Sequence, residues 1–346
     1  MESDGALGAE SGPGGLIYAG LDEAGYGPLL GPLCVGMAVF RTPLPSPEAG
    51  APDLWRRLSA AVCRKPGDGR RRIAIDDSKR LKLPNDVQGR DPLCHLERGV
   101  ICLLAASGGA IPRTDEAMFA ALRARFEAHA WYGGVEAAAL PRGEDAAALA
   151  IAANRLRSCL EAAGVEALGL RCAAVGESAF NDGCVSLGSK AAVNFRAAGG
   201  LLRSLWLRFV ACEPPARPEP VLAALDRHGG RTRYGEMLAE ALHGSEVVAA
   251  EESSGACRYT LRAASGATMR VEVCPEGESR HLPVAAASMT AKYVRELAMA
   301  RFNRHFAARM PELKPTAGYR EDARRWLRDA AGVLSEAEVR AMVRRA

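Results

Sequence analysis

Leu16-Ile-Tyr-Ala-Gly-Leu-Asp22-Glu23-Ala-Gly25-Tyr26-Gly27-Pro28-Leu-Leu-Gly31-Pro32 is the stretch from which the rest of the chain can be read. An apolar run of strand length ends in two adjacent carboxylates. A glycine-rich turn with two prolines follows at once. In α/β proteins the carboxyl ends of strands are where ligands sit. Carboxylates there are hard oxygen donors of the kind that Mg²⁺ or Mn²⁺ takes. The glycines let backbone N–H groups approach a phosphate or a sugar closely. Successive strand residues face opposite sides, so Asp22 and Glu23 can share a site only where the strand gives way to the turn. Read alone, an adjacent Asp-Glu is more simply a solvated turn.

Moving outward, the apolar run Leu33–Phe40 follows after a short Gly/Pro turn, which predicts an antiparallel hairpin. Asp53–Arg64 reads as a short amphipathic helix, and Ile73 opens a short strand that ends in the polar cluster Asp76-Asp77-Ser78-Lys79. Leu83–Arg98 reads mostly as loop and Gly99–Ser107 as a strand. Thr114–Ala130 has an N-capping threonine and Met118, Leu122 and Phe126 at helical spacing. A second helix is expected over Glu144–Ala163, a strand over Leu168–Gly176 and a helix over Ser189–Val210. Val221–Leu225 is a short strand ending in Asp226. Residues 246–274 alternate well enough for two or three antiparallel strands, with a turn at Gly266. Val284–Arg309 is the clearest helix and carries Ser288, Lys292 and Glu296. Glu321–Arg328 is a shorter Arg-rich helix, and Ser335 with Glu338 has the spacing of a capping box.

The chain has 346 residues, 48% apolar and 25% charged, ordinary for a globular protein. Net charge is +4, but it is unevenly placed. From Lys292 to Ala346 there are 13 Lys and Arg against 7 Asp and Glu, which leaves the remainder slightly acidic. A basic C-terminal region suits a polyanion, although an Arg-rich solvated helix face has the same composition. Ten cysteines lie scattered with no CxxC pair, which reads as reduced thiols and not as a disulfide frame or a zinc site. No apolar run reaches the length of a membrane span, and the N-terminus lacks a signal-peptide pattern. The expectation is a cytoplasmic protein with no membrane partner.

Five motifs in order resemble the type 2 ribonuclease H family, ribonucleases HII and HIII: GLDEAGYGPLLGP at 20–32, DDSKRLK at 76–82, LDRHGG at 225–230, AAASMTAKYVREL at 285–297 and AGYREDARRWL at 317–327. The resemblance implies an α/β fold, an RNase H-like mixed sheet flanked by helices with a helical C-terminal portion. It implies one catalytic domain over 15–330, with a helical insertion at about 110–165 and an extra β segment at about 246–280. Residues 1–14 would be a disordered tail and 331–346 a C-terminal helix. The implied activity is hydrolysis of the RNA strand of RNA/DNA hybrids with two Mg²⁺ or Mn²⁺ ions, leaving 5′-phosphate and 3′-hydroxyl ends. The implied catalytic and metal-binding carboxylates are Asp22, Glu23, Asp226 and Glu296.

The resemblance also assigns substrate contacts. Gly25, Tyr26 and Gly27 match a Gly-x-Gly turn that meets the ribose 2′-hydroxyl, the group that distinguishes RNA from DNA. The family usually has Arg or Lys where this chain has Tyr26. Ser78 and Lys79 would contact phosphate, Ser288 and Lys292 would support the site, and Tyr319 matches a tyrosine that stacks near the nucleotide sugar. Asp76 and Asp77 are expected to be structural or to support the metal ligands from behind, not to bind metal themselves. Glu296 stands where the family usually has Asp. The spacing from Asp226 to Glu296 is long, and Glu251 and Glu252 within it are a second source for the extra ligand. His228 is a candidate proton carrier. Two alternatives stay open: a catalytically weak nucleic-acid-binding protein, and a nuclease with another nucleic-acid substrate.

Overall fold

In the computed structural model, residues 15–43, 50–67, 69–214, 216–227 and 231–345 are described. The tail at 1–14 and His228 lie outside them. The strands are β1 (Leu16–Ala24), β2 (Leu33–Thr42), β3 (Val62–Cys63), β4 (Ile73–Ala74), β5 (Glu166–Val175), β6 (Val221–Asp226), β7 (Glu246–Glu252), β8 (Cys257–Arg262) and β9 (Thr268–Cys274). Seven of them form one mixed sheet in the order β5-β2-β1-β6-β9-β8-β7, and β3 and β4 pair separately. β1 and β2 are the expected antiparallel hairpin. β6 lies parallel to β1 on its other side, and β9 lies parallel to β6. The alternating 246–274 segment thus extends the same sheet through two antiparallel ladders.

The helices of seven residues or more are α1 (Cys94–Ala106), α2 (Asp115–Ala121), α3 (Ala146–Ala162), α4 (Glu177–Leu187), α5 (Lys190–Leu205), α6 (Gly235–Ala241), α7 (Leu282–Ala307), α8 (Arg320–Asp329) and α9 (Glu336–Met342). They flank the sheet on both faces, giving the mixed α/β architecture expected. Period-2 alternation divides β1 between two cores. Leu16 and Tyr18 join a core with α1, α3 and α7. Ile17, Ala19 and Leu21 join one with α5 and α6. Gly20 and Gly36 admit α7 against the sheet: a Cβ on either would lie 2.1 Å from the helix backbone at Pro283 or Ala287. α7 is buried almost all round, its buried Arg295 and Arg301 held by hydrogen bonds to Ala317 O and to Asp115.

Several element readings need correction. Gly99–Ala106 lies within α1 with Ser107 as its C-cap, and is not a strand. Its apolar run packs between α3 and α7, and short apolar runs do not separate strand from buried helix. The Asp53–Arg64 helix is only Leu54–Arg57, capped by Asp53, because Val62–Cys63 is drawn into a ladder with Ile73–Ala74. The helix starting at Thr114 stops at Ala121, and Arg123 adopts φ +55° just beyond it. α4 has little apolar periodicity in sequence and was not expected.

Candidate active site

β1 does not end at Leu21 but continues through both carboxylates to Ala24. On the β2 side its ladder runs to Ala24, whereas on the β6 side it stops at Leu21 opposite Leu225. Asp22 and Asp226 therefore stand level on adjacent parallel strands, about 5 Å apart in the backbone. Alternation puts both on the α7 face and puts Glu23 on the α5 face. Asp22 is 9% exposed. Its Oδ1 accepts from the Glu23 N–H at 2.7 Å, and the Ser288 hydroxyl of α7 hydrogen-bonds its carboxylate. Ser288 Oγ lies 3.0 Å from Ser78 Oγ. Asp226 Oδ1 accepts from the Gly277 N–H at 3.0 Å.

The acids raise one another. Burial, then the charges of Glu23 and Asp226, hold the Asp22 carboxyl well above the usual carboxylate range. Burial likewise pushes Glu23 up, with the Asn194 amide of α5 offsetting part of it. Burial raises Asp226 against the Gly277 N–H. Glu278, in the helical turn Gly277–Arg280, is raised by burial and by the charges of Asp226 and Asp77. Lys79 is the cation that Glu23, Asp226 and Glu278 all feel. Among the described residues these carboxylates outweigh the Lys79 ammonium, which leaves a site that favours added positive charge. Glu278 Oε2 is buried with no hydrogen-bond partner among the described residues. An all-oxygen donor set of this kind fits Mg²⁺ or Mn²⁺.

Glu296 is elsewhere. It lies eight residues beyond Ser288 on α7, about 12 Å along the helix axis. Its Oε1 pairs with Lys292 Nζ at 2.9 Å and lies 3.9 Å from Arg295 Nη1. Sequence reasoning placed the fourth carboxylate on α7; the structure places Glu278 beside Asp226 and ties Glu296 to Lys292. The available signal was Gly277-Glu278, an acidic residue next to a glycine just ahead of the α7 motif. Glu251 and Glu252 are on β7, the edge strand three places from β6, where they meet Arg258 and Tyr259. They do not reach the site.

Asp76 lies 3.7 Å from Arg64 and 3.6 Å from Arg80, and Asp77 caps the helical turn Ser78–Leu81 while its charge raises Asp226 and Glu278. Ser78 is buried and turned toward Ser288, not toward solvent, so it supports the site and does not offer itself to phosphate. Lys79 is exposed. Tyr319 is 47% exposed, with Lys292 Nζ 5.8 Å from its ring centroid and the Arg295 guanidinium carbon 5.4 Å from it.

The Gly25–Gly31 turn is gripped from beneath. Arg344 donates to the carbonyls of Gly25 and Tyr26. The Arg344 backbone N–H donates to Leu29 O at 2.8 Å, and Gly318 O receives the N–H groups of Leu29 and Leu30. Arg295 donates to Ala317 O at 2.9 Å and Leu30 O at 3.4 Å. Gly25 has φ +88°, and a Cβ there would meet Pro32 O at 2.5 Å and Arg295 Nε at 2.6 Å, so no other residue fits without displacement. The sequence did not indicate Arg295 or Arg344 as parts of this arrangement.

No protein-family model and no curated protein matches the chain. Among solved structures, similar chains include the RNase HII of the PCNA:RNase HII complex from Archaeoglobus fulgidus, with TM-score 0.43, 14% identity, and 95% of this chain and 93% of that chain covered. The ribonuclease H2 from Pyrococcus horikoshii OT3 gives TM-score 0.42 at 15% identity, covering 95% and 92%. Bst-RNase HIII in complex with Mn²⁺ gives TM-score 0.37 at 16% identity, covering 96% of this chain and 67% of that one.

Proposed function

We propose that the chain is a divalent-metal-dependent endonuclease of the type 2 ribonuclease H kind, cutting the RNA strand of RNA/DNA hybrids. The observation that carries this is the level placement of Asp22 and Asp226 on adjacent parallel strands, with Glu23 and Glu278 beside them, under the five-motif resemblance. Asp22, Asp226 and Glu278 would hold the cations from the α7 face, and Glu23, whose side chain starts from the other face of β1, would join them through its backbone carbonyl, its side chain or both. Bound there, two Mg²⁺ or Mn²⁺ ions supply Lewis-acid activation of water and charge stabilisation of the leaving oxygen. Ser288, held by Ser78, fixes the Asp22 carboxylate, and the Gly277 N–H fixes that of Asp226. Lys79 faces the same opening as a point charge for a phosphate.

The Gly25–Gly27 backbone, clamped by Arg344, is the part that would meet a ribose 2′-hydroxyl. Tyr319 offers an exposed ring beside it for a sugar. Product ends are 5′-phosphate and 3′-hydroxyl. Tyr26 favours a second reading of substrate choice: without a cation between the glycines, long hybrids are cut in preference to a single embedded ribonucleotide. The test is cleavage, in Mg²⁺ and in Mn²⁺, of an all-RNA/DNA hybrid and of a duplex with one ribonucleotide. Metal-dependent cutting of the hybrid supports the proposal. Hybrid binding without cutting in either metal supports a nucleic-acid-binding protein instead.

A further inference from the structure

Beside the carboxylates lies a donor set of different chemistry. Glu272 and Cys274 alternate onto the α7 face of β9, and His281 is the N-cap of α7. One ligand atom from each lies within 4.8 Å of the other two. Cys274 is fully buried and His281 is 5% exposed. The fully buried Tyr18 of β1 places its Oη 2.6 Å from His281 Nδ1. Glu272 pairs outward with Arg258 at 3.2 Å.

We infer that Glu272, Cys274 and His281 form a zinc site, distinct from the Mg²⁺/Mn²⁺ carboxylates. Sulfur, imidazole nitrogen and one carboxylate oxygen are a donor set for Zn²⁺, whereas Mg²⁺ and Mn²⁺ take oxygen. A tetrahedral Zn²⁺ with donors at about 2.0–2.3 Å has donor–donor edges of about 3.3–3.8 Å, so side-chain adjustments of about an ångström close the triad. The Tyr18 hydroxyl is placed to orient the imidazole, the kind of support that ligating histidines usually have. Burial pushes the Cys274 thiol up to about 11 and the His281 imidazole down. Zinc uptake would therefore release the thiol proton to solvent.

The ligands bracket Pro275–Arg280, the segment whose Gly277 N–H holds Asp226 and which carries Glu278. A bound ion would tie the end of β9 to the start of α7 and brace that segment. Three protein ligands would leave the fourth position of the tetrahedron to a water, and the test of the site needs no nuclease activity.

The experiment uses the full chain, stripped with a chelator, reloaded with Zn²⁺ alone or Co²⁺ alone, and dialysed against excess Mg²⁺. The expected result is one equivalent of retained zinc, measured by elemental analysis. The Co²⁺ form should show a thiolate charge-transfer band and intense tetrahedral d–d bands. Both should disappear in Cys274→Ser and His281→Gln and persist in Asp226→Asn. Zinc should also raise the thermal midpoint of the wild type but not of Cys274→Ser. Should Cys274→Ser fail to fold by circular dichroism, His281→Gln and Glu272→Gln carry the same comparison. Absence of stoichiometric zinc in the wild type overturns the inference. So does retention of the zinc and the thiolate band in His281→Gln, or in Cys274→Ser.

Discussion

Glu278 and Glu296 are both acids close to the sequence motif of α7, and position separates them. Glu278 feels Asp226 and has a buried oxygen without a partner among the described residues, while Glu296 is neutralised by Lys292. Glu278→Gln should therefore lower hybrid cleavage by about 100-fold or more, on the scale of losing one preorganised electrostatic group. Glu296→Gln should stay within about tenfold of wild type. Initial rates at saturating Mn²⁺ decide it; the reverse order would return the fourth ligand to α7. A second residue, Glu177 beneath the glycine turn, makes a pH prediction. Burial raises its carboxyl from 4.5 to about 7, while Gly31 N–H and Tyr132 Oη–H donate to it. The folded state then holds a proton that the unfolded state releases between pH 4.5 and about 7. Stability is full below the lower value and falls as pH rises through that window, by about 3 kcal/mol in all. Glu177→Gln should remove this part of the slope, as urea titrations at pH 5 and pH 7.5 would show. An unchanged slope would contradict it.

At the scale of elements, the site depends on how closely α7 lies on β1 and β2. Gly20 and Gly36 make that approach, and each meets helix backbone that a flexible side chain could not relieve. Gly20→Ala or Gly36→Ala should cost about 1–3 kcal/mol of stability by overpacking, and calorimetry should show the lowered midpoint. A wild-type midpoint would mean that α7 stands further off. The β1–β2 hairpin, β6, β9 and α7 were legible in the sequence because their apolar runs are bounded by Gly, Pro or capping residues. α1 was not, since Gly99–Ser107 is apolar on every side and only its packing between α3 and α7 makes it helical. Asp22 and Asp226 could be read because each directly follows an apolar run, ending in Leu21 and Leu225. Glu278 sits in a four-residue helical turn with no periodicity, and only the fold brings it to Asp226.

On the scale of the whole molecule, Arg344 reaches back across the sequence to the glycine turn after β1. Arg344, 2% exposed, donates to Gly25 O and Tyr26 O, and its guanidinium carbon lies 3.6 Å from the Phe180 ring centroid. Charge composition marked the C-terminal region as basic but could not show that this arginine faces inward. Arg344→Met should free the turn and lower kcat/KM for the hybrid by about tenfold, with Arg344→Lys restoring part of it. Equal activity in all three forms would show that the turn holds itself. The central claim is that Asp22 and Asp226 are the metal-binding centre of a hybrid-cutting nuclease. Its most direct test is single-turnover cleavage of an RNA/DNA hybrid in Mn²⁺ by the wild type, Asp22→Asn and Asp226→Asn, each confirmed folded. The account predicts cutting of the RNA strand by the wild type alone, with each variant slower by about 1,000-fold or more. Wild-type rates in either variant, or no metal-dependent cutting by the wild type, would contradict it.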